Sequence, residues 1–243
     1  MKPLAYLHDG EAPFLAPLIG ALSTHGVPVV ASQPGSALSD ALRGLCPLGF
    51  SGAWIEGEGL GVRAYPYLAQ LEPEARLAGR VDGVACGFAG PRGFFLAPGA
   101  LARVFDRHVY PGVRVLWVGE ARSELAPGLR GASEVSIYTP VPSEGEAFLA
   151  ALPESVRGRV AVRRDEARAL ASQADLLLYA GGALPGEVLF PYHTVLALSP
   201  VPQTVYKAVE RVIEPEYFHA ERLALFVAET LGLALPPDAF YEL

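Results

Sequence analysis

Lysine, asparagine, cysteine and methionine are nearly missing from this 243-residue chain, and each shortage removes a class of chemistry. Lys2 and Lys207 face 17 arginines, so no lysine acid, base or Schiff-base former lies anywhere from Pro3 to Tyr206. Asparagine does not occur at all. Cys46 and Cys86 are too few for a disulfide framework or a cysteine metal site, and each reads as a small core or half-buried residue. Shortage of Asn, Cys and Met beside 22 prolines fits a heat-adapted (thermophile) source. No apolar run reaches the length of a membrane span, and "MKPLAYLHDGE" lacks the apolar stretch of a signal peptide. The expectation is a soluble cytoplasmic protein. Net charge is −7 with no basic run, which argues against nucleic acid and anionic membrane as partners. The histidine and carboxylate spacings match no metal motif, and no G-x-S-x-G, Walker or H-E-x-x-H pattern occurs, so no metal is expected.

What is present alternates between strand and helix signals. "LAYLH", "VPVVAS" and "GFSGAWIEG" read as strands separated by the helical stretches "APLIGALSTHG" and "ALSDALRGL". "PYLAQLEPEARLAG" reads as a helix with a proline interruption, "VDGVACGF" and "RGFFLAP" as an antiparallel pair, and "GALARVFDRH" as a helix. A second cycle starts at the apolar strand "VRVLWVGE" and runs through the strands "EVSIYTP", "RVAV", "DLLLYAGG" and "TVLALSP", with the helices "SEGEAFLAAL" before "RVAV" and "RDEARALASQA" after it. "PEYFHAERLALFVAETLGL" is a long amphipathic helix opened by Pro215 and stopped by Gly232. The alternation predicts an α/β protein of two domains with parallel sheets. The division is 1–110 with a C-terminal helix in 215–243, and 111–214 as a Rossmann-like doubly wound sheet.

A dinucleotide site needs glycine-rich backbone after the first strand of the second half, so that pyrophosphate can approach a helix N-terminus. "VGEARSEL" keeps only Gly119 of three expected glycines, a weak cofactor candidate, and adds Glu120 and Glu124. "IYTPVP" offers neither an acid for a ribose hydroxyl nor an arginine for a 2′-phosphate. A strand, loop and helix without nucleotide is the expectation here. "EGEGLGVR" reads as a loop that either brings Glu56, Glu58 and Arg63 to an interdomain cleft or merely turns the chain.

In this order of elements the chain resembles the shikimate dehydrogenase family from end to end. The likeness is carried by "FSGAWIEG…LEPEARLAGRVDGVACGFAGPRGF", by "LPGEVLFPYHTVLALSP", and by Tyr217, Phe218, Glu221 and Phe226 in the tail helix. The resemblance implies the two-domain fold, with the last helix packing back on the N-terminal domain. It also implies NADP-linked oxidation of shikimate, assisted by a lysine and an aspartate. The matching positions depart from that chemistry. The two serines that would grip the substrate carboxylate are Phe14 and Ala16. The Asn-Val-Thr strand reads Trp54, Ile55, Glu56, the lysine falls at Leu60 or Gly61, the Asn of A-V-N is Asp82, the Asn-Thr-Asp triplet is Phe95, Leu96, Ala97, and the tail glutamine is Glu221.

The expectation is therefore a shikimate-dehydrogenase-like pseudoenzyme with no cofactor. It would bind a small polar ligand through Glu56, Glu58, Arg63, Asp82 and Glu221 and have a ligand-binding or regulatory role. A divergent NAD(P)-dependent oxidoreductase using Glu56, Glu58 or Asp82 as base stands as the alternative, and a structural partner subunit as a third reading. A homodimer is left open. If the four acids converge without lysine, their repulsion raises at least one carboxyl pKa and leaves Arg63 as the one cation. If instead Phe14, Trp54, Phe95 and Leu96 fill the space, no pocket remains.

Overall fold

Leu4–Leu7 (β1) is apolar at all four positions because a central parallel strand is covered on both faces, and all four are buried. The computed structural model describes residues 2–241 and places β1 between two parallel neighbours, Val29–Ser32 (β2) and Gly52–Ile55 (β3). Gly83–Gly87 (β5) and Gly90–Phe94 (β6) pair antiparallel, as expected from sequence, and with the short strand Gln70–Leu71 (β4) at the edge they continue this sheet in the order β2-β1-β3-β5-β6-β4. The helices Leu15–Ser23 (α1) and Leu38–Gly44 (α2) form the expected crossovers.

Two stretches differ from expectation. "PYLAQLEPEARLAG" is not one helix but a 3-10 turn at Tyr65–Tyr67, a short strand Gln70–Leu71 (β4), and a helix Pro73–Ala78 (α4). Pro73 sets the break: it holds the preceding Glu72 extended at φ −71°, ψ 160°, and itself opens α4 as its first residue. "EGEGLGVR" is not a loop. Gly57, at φ 89°, turns the chain into a helix Glu58–Ala64 (α3). Gly61 within it lies so close to the neighbouring chain that a Cβ there would stand 2.3 Å from the Val81 carbonyl oxygen.

The cysteines also depart from expectation: Cys46 and Cys86 form a disulfide, with Cα atoms 5.3 Å apart. The residues after α2 come to rest beside β5, a juxtaposition that a spacing of 40 residues does not reveal.

The second sheet runs β12-β11-β10-β7-β8-β9 and is parallel throughout. Its strands are Arg114–Gly119 (β7), Glu134–Tyr138 (β8), Arg157–Ala161 (β9), Leu176–Ala180 (β10), Thr194–Ala197 (β11) and Arg211–Ile213 (β12). With β7 as first strand this is the doubly wound dinucleotide-fold order. Ala97–His108 (α5), Pro142–Ala151 (α6) and Arg164–Ala171 (α7) accompany it. The chain forms two compact units, one holding the residues up to Leu96 with those from Arg222 on, the other Ala97–Glu221. α5 thus groups with the second sheet, where the sequence division at 110 had put it with the first. The last helix, Pro215–Leu231 (α8), passes from one unit into the other at Glu221/Arg222. Its predicted apolar positions Phe218, Leu223, Phe226 and Val227 are all buried, and Phe226 packs edge-on against Trp54 of β3 at 5.3 Å. Among the described residues no helix is long and apolar enough to cross a membrane.

His193, just before β11, is fully buried and makes the second unit sensitive to acid. Its Nδ1 accepts from the Phe190 amide at 3.2 Å, while Nε2 lies 2.9 Å from the Ala171 carbonyl, which can only accept, so Nε2 carries the single proton. Burial holds its pKa below the ordinary 6.5. A depressed folded pKa means that its stabilisation is complete above about pH 6.5 and is lost as pH falls through the folded value. Urea midpoints measured from pH 7.5 down to 4.5 are expected to fall below that point, and His193→Gln to flatten this part of the slope.

Candidate functional site

The register of the first sheet assembles its most polar cluster. Tyr6 of β1 sits beside Trp54 of β3, and Glu56 follows Trp54 by two residues, so all three project to one face. Glu56 Oε2 accepts from the Tyr6 hydroxyl at 2.6 Å and from Trp54 Nε1 at 2.8 Å. The Tyr6 oxygen in turn accepts from the Phe14 amide at 3.2 Å. Burial, then the bond to the Glu56 carboxylate, pushes the Tyr6 phenol far above its usual range, so it stays a donor at any ordinary pH. Glu56 Oε1 takes no hydrogen bond from the described residues. The group is therefore a fixed, half-buried carboxylate at the carboxyl edge of β1 and β3, with one oxygen held and one available.

The other expected site residues each have their own arrangement. Asp82 is buried, accepts from the Leu96 amide with both oxygens at 2.9 and 3.1 Å, and pairs with Arg222 at 3.3 Å. Arg222 also lies over the Trp54 ring, 5.1 Å from its centroid. Burial raises the Asp82 pKa, with Arg222 and the Leu96 amide pulling against it. Glu58 pairs with Arg80 at 2.5 Å, and Arg80 stacks on Phe95. Arg63 pairs with Asp9 at 2.5 Å. Glu221, in the second unit, is buried beside Arg107 at 2.7 Å. The expected mutual repulsion of acids and the expectation of Arg63 as the one cation are both overturned. Asp82, Glu58 and Glu221 each have an arginine, and Asp82 is raised by burial rather than by another carboxylate. Trp54, Phe95 and Leu96 are buried and Phe14 half-buried. Tyr6, Arg80 and Arg222 were missed because single tyrosines and arginines carry no spacing signal. The strand register that joins Tyr6 to Trp54 was the one trace available.

In the second unit the crevice where nucleotide would enter this strand order lies at the carboxyl ends of β7 and β10. There Gly119, at φ 109°, approaches Gly181 so closely that a Cβ would stand 2.0 Å from the Gly181 carbonyl oxygen. The glycine thus has a packing reason. Trp117 Nε1 donates to the Glu120 carbonyl at 2.7 Å, and the Tyr179 hydroxyl to the Gly182 carbonyl at 2.7 Å. The segment expected as a helix after β7 is instead a 3-10 helix, Ser123–Leu129, with Pro127 inside it. Gly128 of that segment is held tight on α5, since a Cβ there would meet the Pro98 carbonyl oxygen at 2.6 Å.

No family model matches the sequence, and no curated protein matches it. Solved structures do match. The ligand-free 5-ketofructose reductase of a Gluconobacter species superposes with a TM-score of 0.80 at 16% identity, covering 98% of this chain and 96% of that one. Shikimate 5-dehydrogenase of Listeria monocytogenes, solved with shikimate and NAD, gives 0.79 at 14% identity over 98% and 94%. The Thermus thermophilus enzyme, solved with NADP(H) and shikimate, gives 0.76 at 21% identity over 99% and 97%. The chain has the two-domain shikimate dehydrogenase fold with a Rossmann-like second sheet.

Proposed function

We propose that this shikimate-dehydrogenase-fold protein performs no NADP-linked oxidation of shikimate and instead binds a small polar ligand around Glu56. The observation that carries this reading is the packing of α3. The position that the family resemblance gives to the lysine falls on Leu60, 1% exposed, or on Gly61, where a Cβ would run into the Val81 carbonyl. A lysine at Gly61 would need the backbone to move, and one at Leu60 would start from a position buried in the core. The aspartate position is Ala97, also buried. Proton transfer needs a group within reach of the reacting hydroxyl, and these positions offer none. The residues after β7 do not fit a dinucleotide either. A pyrophosphate wants a run of free amides at a helix N-terminus, whereas here a 3-10 segment follows Glu120 and carries Glu124 in its first turn. What remains is an anchored carboxylate whose second oxygen can accept from a ligand hydroxyl or amine. Arg63, Glu58 and Asp82 of the same unit are proposed to frame it; Glu221, also expected at the ligand, belongs to the other unit.

The alternative is an NAD(P)-dependent oxidoreductase on another substrate. It draws on the strand order of the second sheet and on fold neighbours solved with NAD or NADP(H). Calorimetric titration with NADP, NAD and shikimate decides between them. Flat isotherms are expected for all three. A dissociation constant of about 1 μM for NADP would overturn the first reading and favour the oxidoreductase one.

A further inference from the structure

We infer that the second unit carries an accessory site for a small carboxylate with an apolar body, held between α7 and the 3-10 turn Gly186–Val188. A cavity of about 480 Å³ opens there, lined by Arg168, Gly186, Glu187, Leu189 and Phe190. That volume has room for a ligand of roughly ten non-hydrogen atoms. All five residues belong to the second unit, and none takes part in the Glu56 group or the crevice at Gly119.

The walls are fixed by the core beneath them. Val188, fully buried, shares a cluster with Ala167 and Ala171 of α7, and Leu189 and Phe190 pack against that cluster. Past the turn, the Tyr192 hydroxyl donates to the Ser172 carbonyl at 3.2 Å and His193 Nε2 to the Ala171 carbonyl at 2.9 Å. The Phe190 ring stacks on Tyr192 with centroids 5.6 Å apart. Helix and turn are thus fastened to each other before anything enters, which spares a ligand the cost of ordering them.

The charges name the ligand class. Arg164 and Arg168 lie one helical turn apart on α7 and share a face. Glu187, the acid in the lining, meets Arg164 at 3.8 Å, and the Arg168 side chain has no ion pair among the described residues. The cavity therefore presents a planar cation beside a leucine and a phenylalanine. A carboxylate accepts two parallel hydrogen bonds from such a guanidinium, and an apolar body displaces water from the two side chains. An exposed ion pair alone holds little, so the ligand needs both parts.

Phenylacetate is the probe, with phenylacetamide as its neutral isostere and acetate as the anion without a body. Titration of the full chain followed by amide correlation spectra measures affinity and place together. Phenylacetate is expected to bind with a dissociation constant on the order of 1 mM and to shift the amides of Arg168 and residues 186–190. Phenylacetamide and acetate are expected to bind at least about tenfold more weakly. Arg168 is exposed, and methionine is a good helix former, so Arg168→Met should keep the circular dichroism unchanged. That variant should hold phenylacetate no better than phenylacetamide. Arg168→Lys keeps the charge without the planar fork and should fall between the two. No saturable binding of phenylacetate, shifts confined to other residues, or undiminished affinity in Arg168→Met overturns the proposal. So does equal affinity of the wild type for phenylacetate and phenylacetamide.

Discussion

Replacing Cys46 and Cys86 together by serine is expected to lower the stability of the first unit by about 4 kcal/mol. The bond closes a loop between residues 40 apart in sequence, and the entropy withheld from the unfolded chain grows with the logarithm of that length. The loop contains β3, α3, α4 and the first part of β5, and therefore Trp54, Glu56 and Asp82. Both cysteines are half-buried, so a small thiol has access from one side. Urea unfolding followed by tryptophan fluorescence checks the effect. Wild type with dithiothreitol should match the double variant, and the double variant should ignore the reductant. A difference under about 1 kcal/mol would mean that the unfolded chain is already compact across this loop.

Asp82→Ala is expected to cost about 3–5 kcal/mol, because it strips a carboxylate from an arginine whose side chain is only 16% exposed and leaves the buried Leu96 amide without its acceptor. Asp82→Asn keeps the acceptor for Leu96 and gives up only the charge, so its loss should be smaller. Adding Arg222→Met to Asp82→Asn should recover part of the loss, since the buried cation that faced the carboxylate goes with it. Chemical denaturation of wild type, Asp82→Asn, Arg222→Met and the double variant closes the cycle. Independent, additive losses would contradict a working Asp82–Arg222 pair.

Fold and site were unequally legible. Fully apolar strands such as "LLLYA" and "VLWV" announce a parallel sheet because burial on both faces tolerates nothing else. The amphipathic spacing of Phe218, Leu223, Phe226 and Val227 likewise gave α8. "EGEGLGVR" failed because glycine opposes helix by intrinsic propensity, while in the fold Gly61 is required by the Val81 carbonyl against which α3 packs. Tertiary contact overrode local preference. The acids were found as residues but misread as a group: Asp82 and Arg222 are 140 positions apart, and no pattern in a single sequence couples them. The cysteine pair was hidden for the same reason.

The division of the chain into one continuous and one interrupted unit has a bearing on how the molecule is made. The second unit, Ala97–Glu221, is an unbroken stretch and has every residue it needs once Glu221 has left the ribosome. The first sheet is synthesised earlier yet must wait, because the ring that covers Trp54 belongs to Phe226. Both units are therefore completed within five residues of each other, at Glu221 and Phe226, so the amino-terminal unit has no head start in folding. Until Phe226 has been made, the Trp54 side of β3 lacks the ring that packs against it.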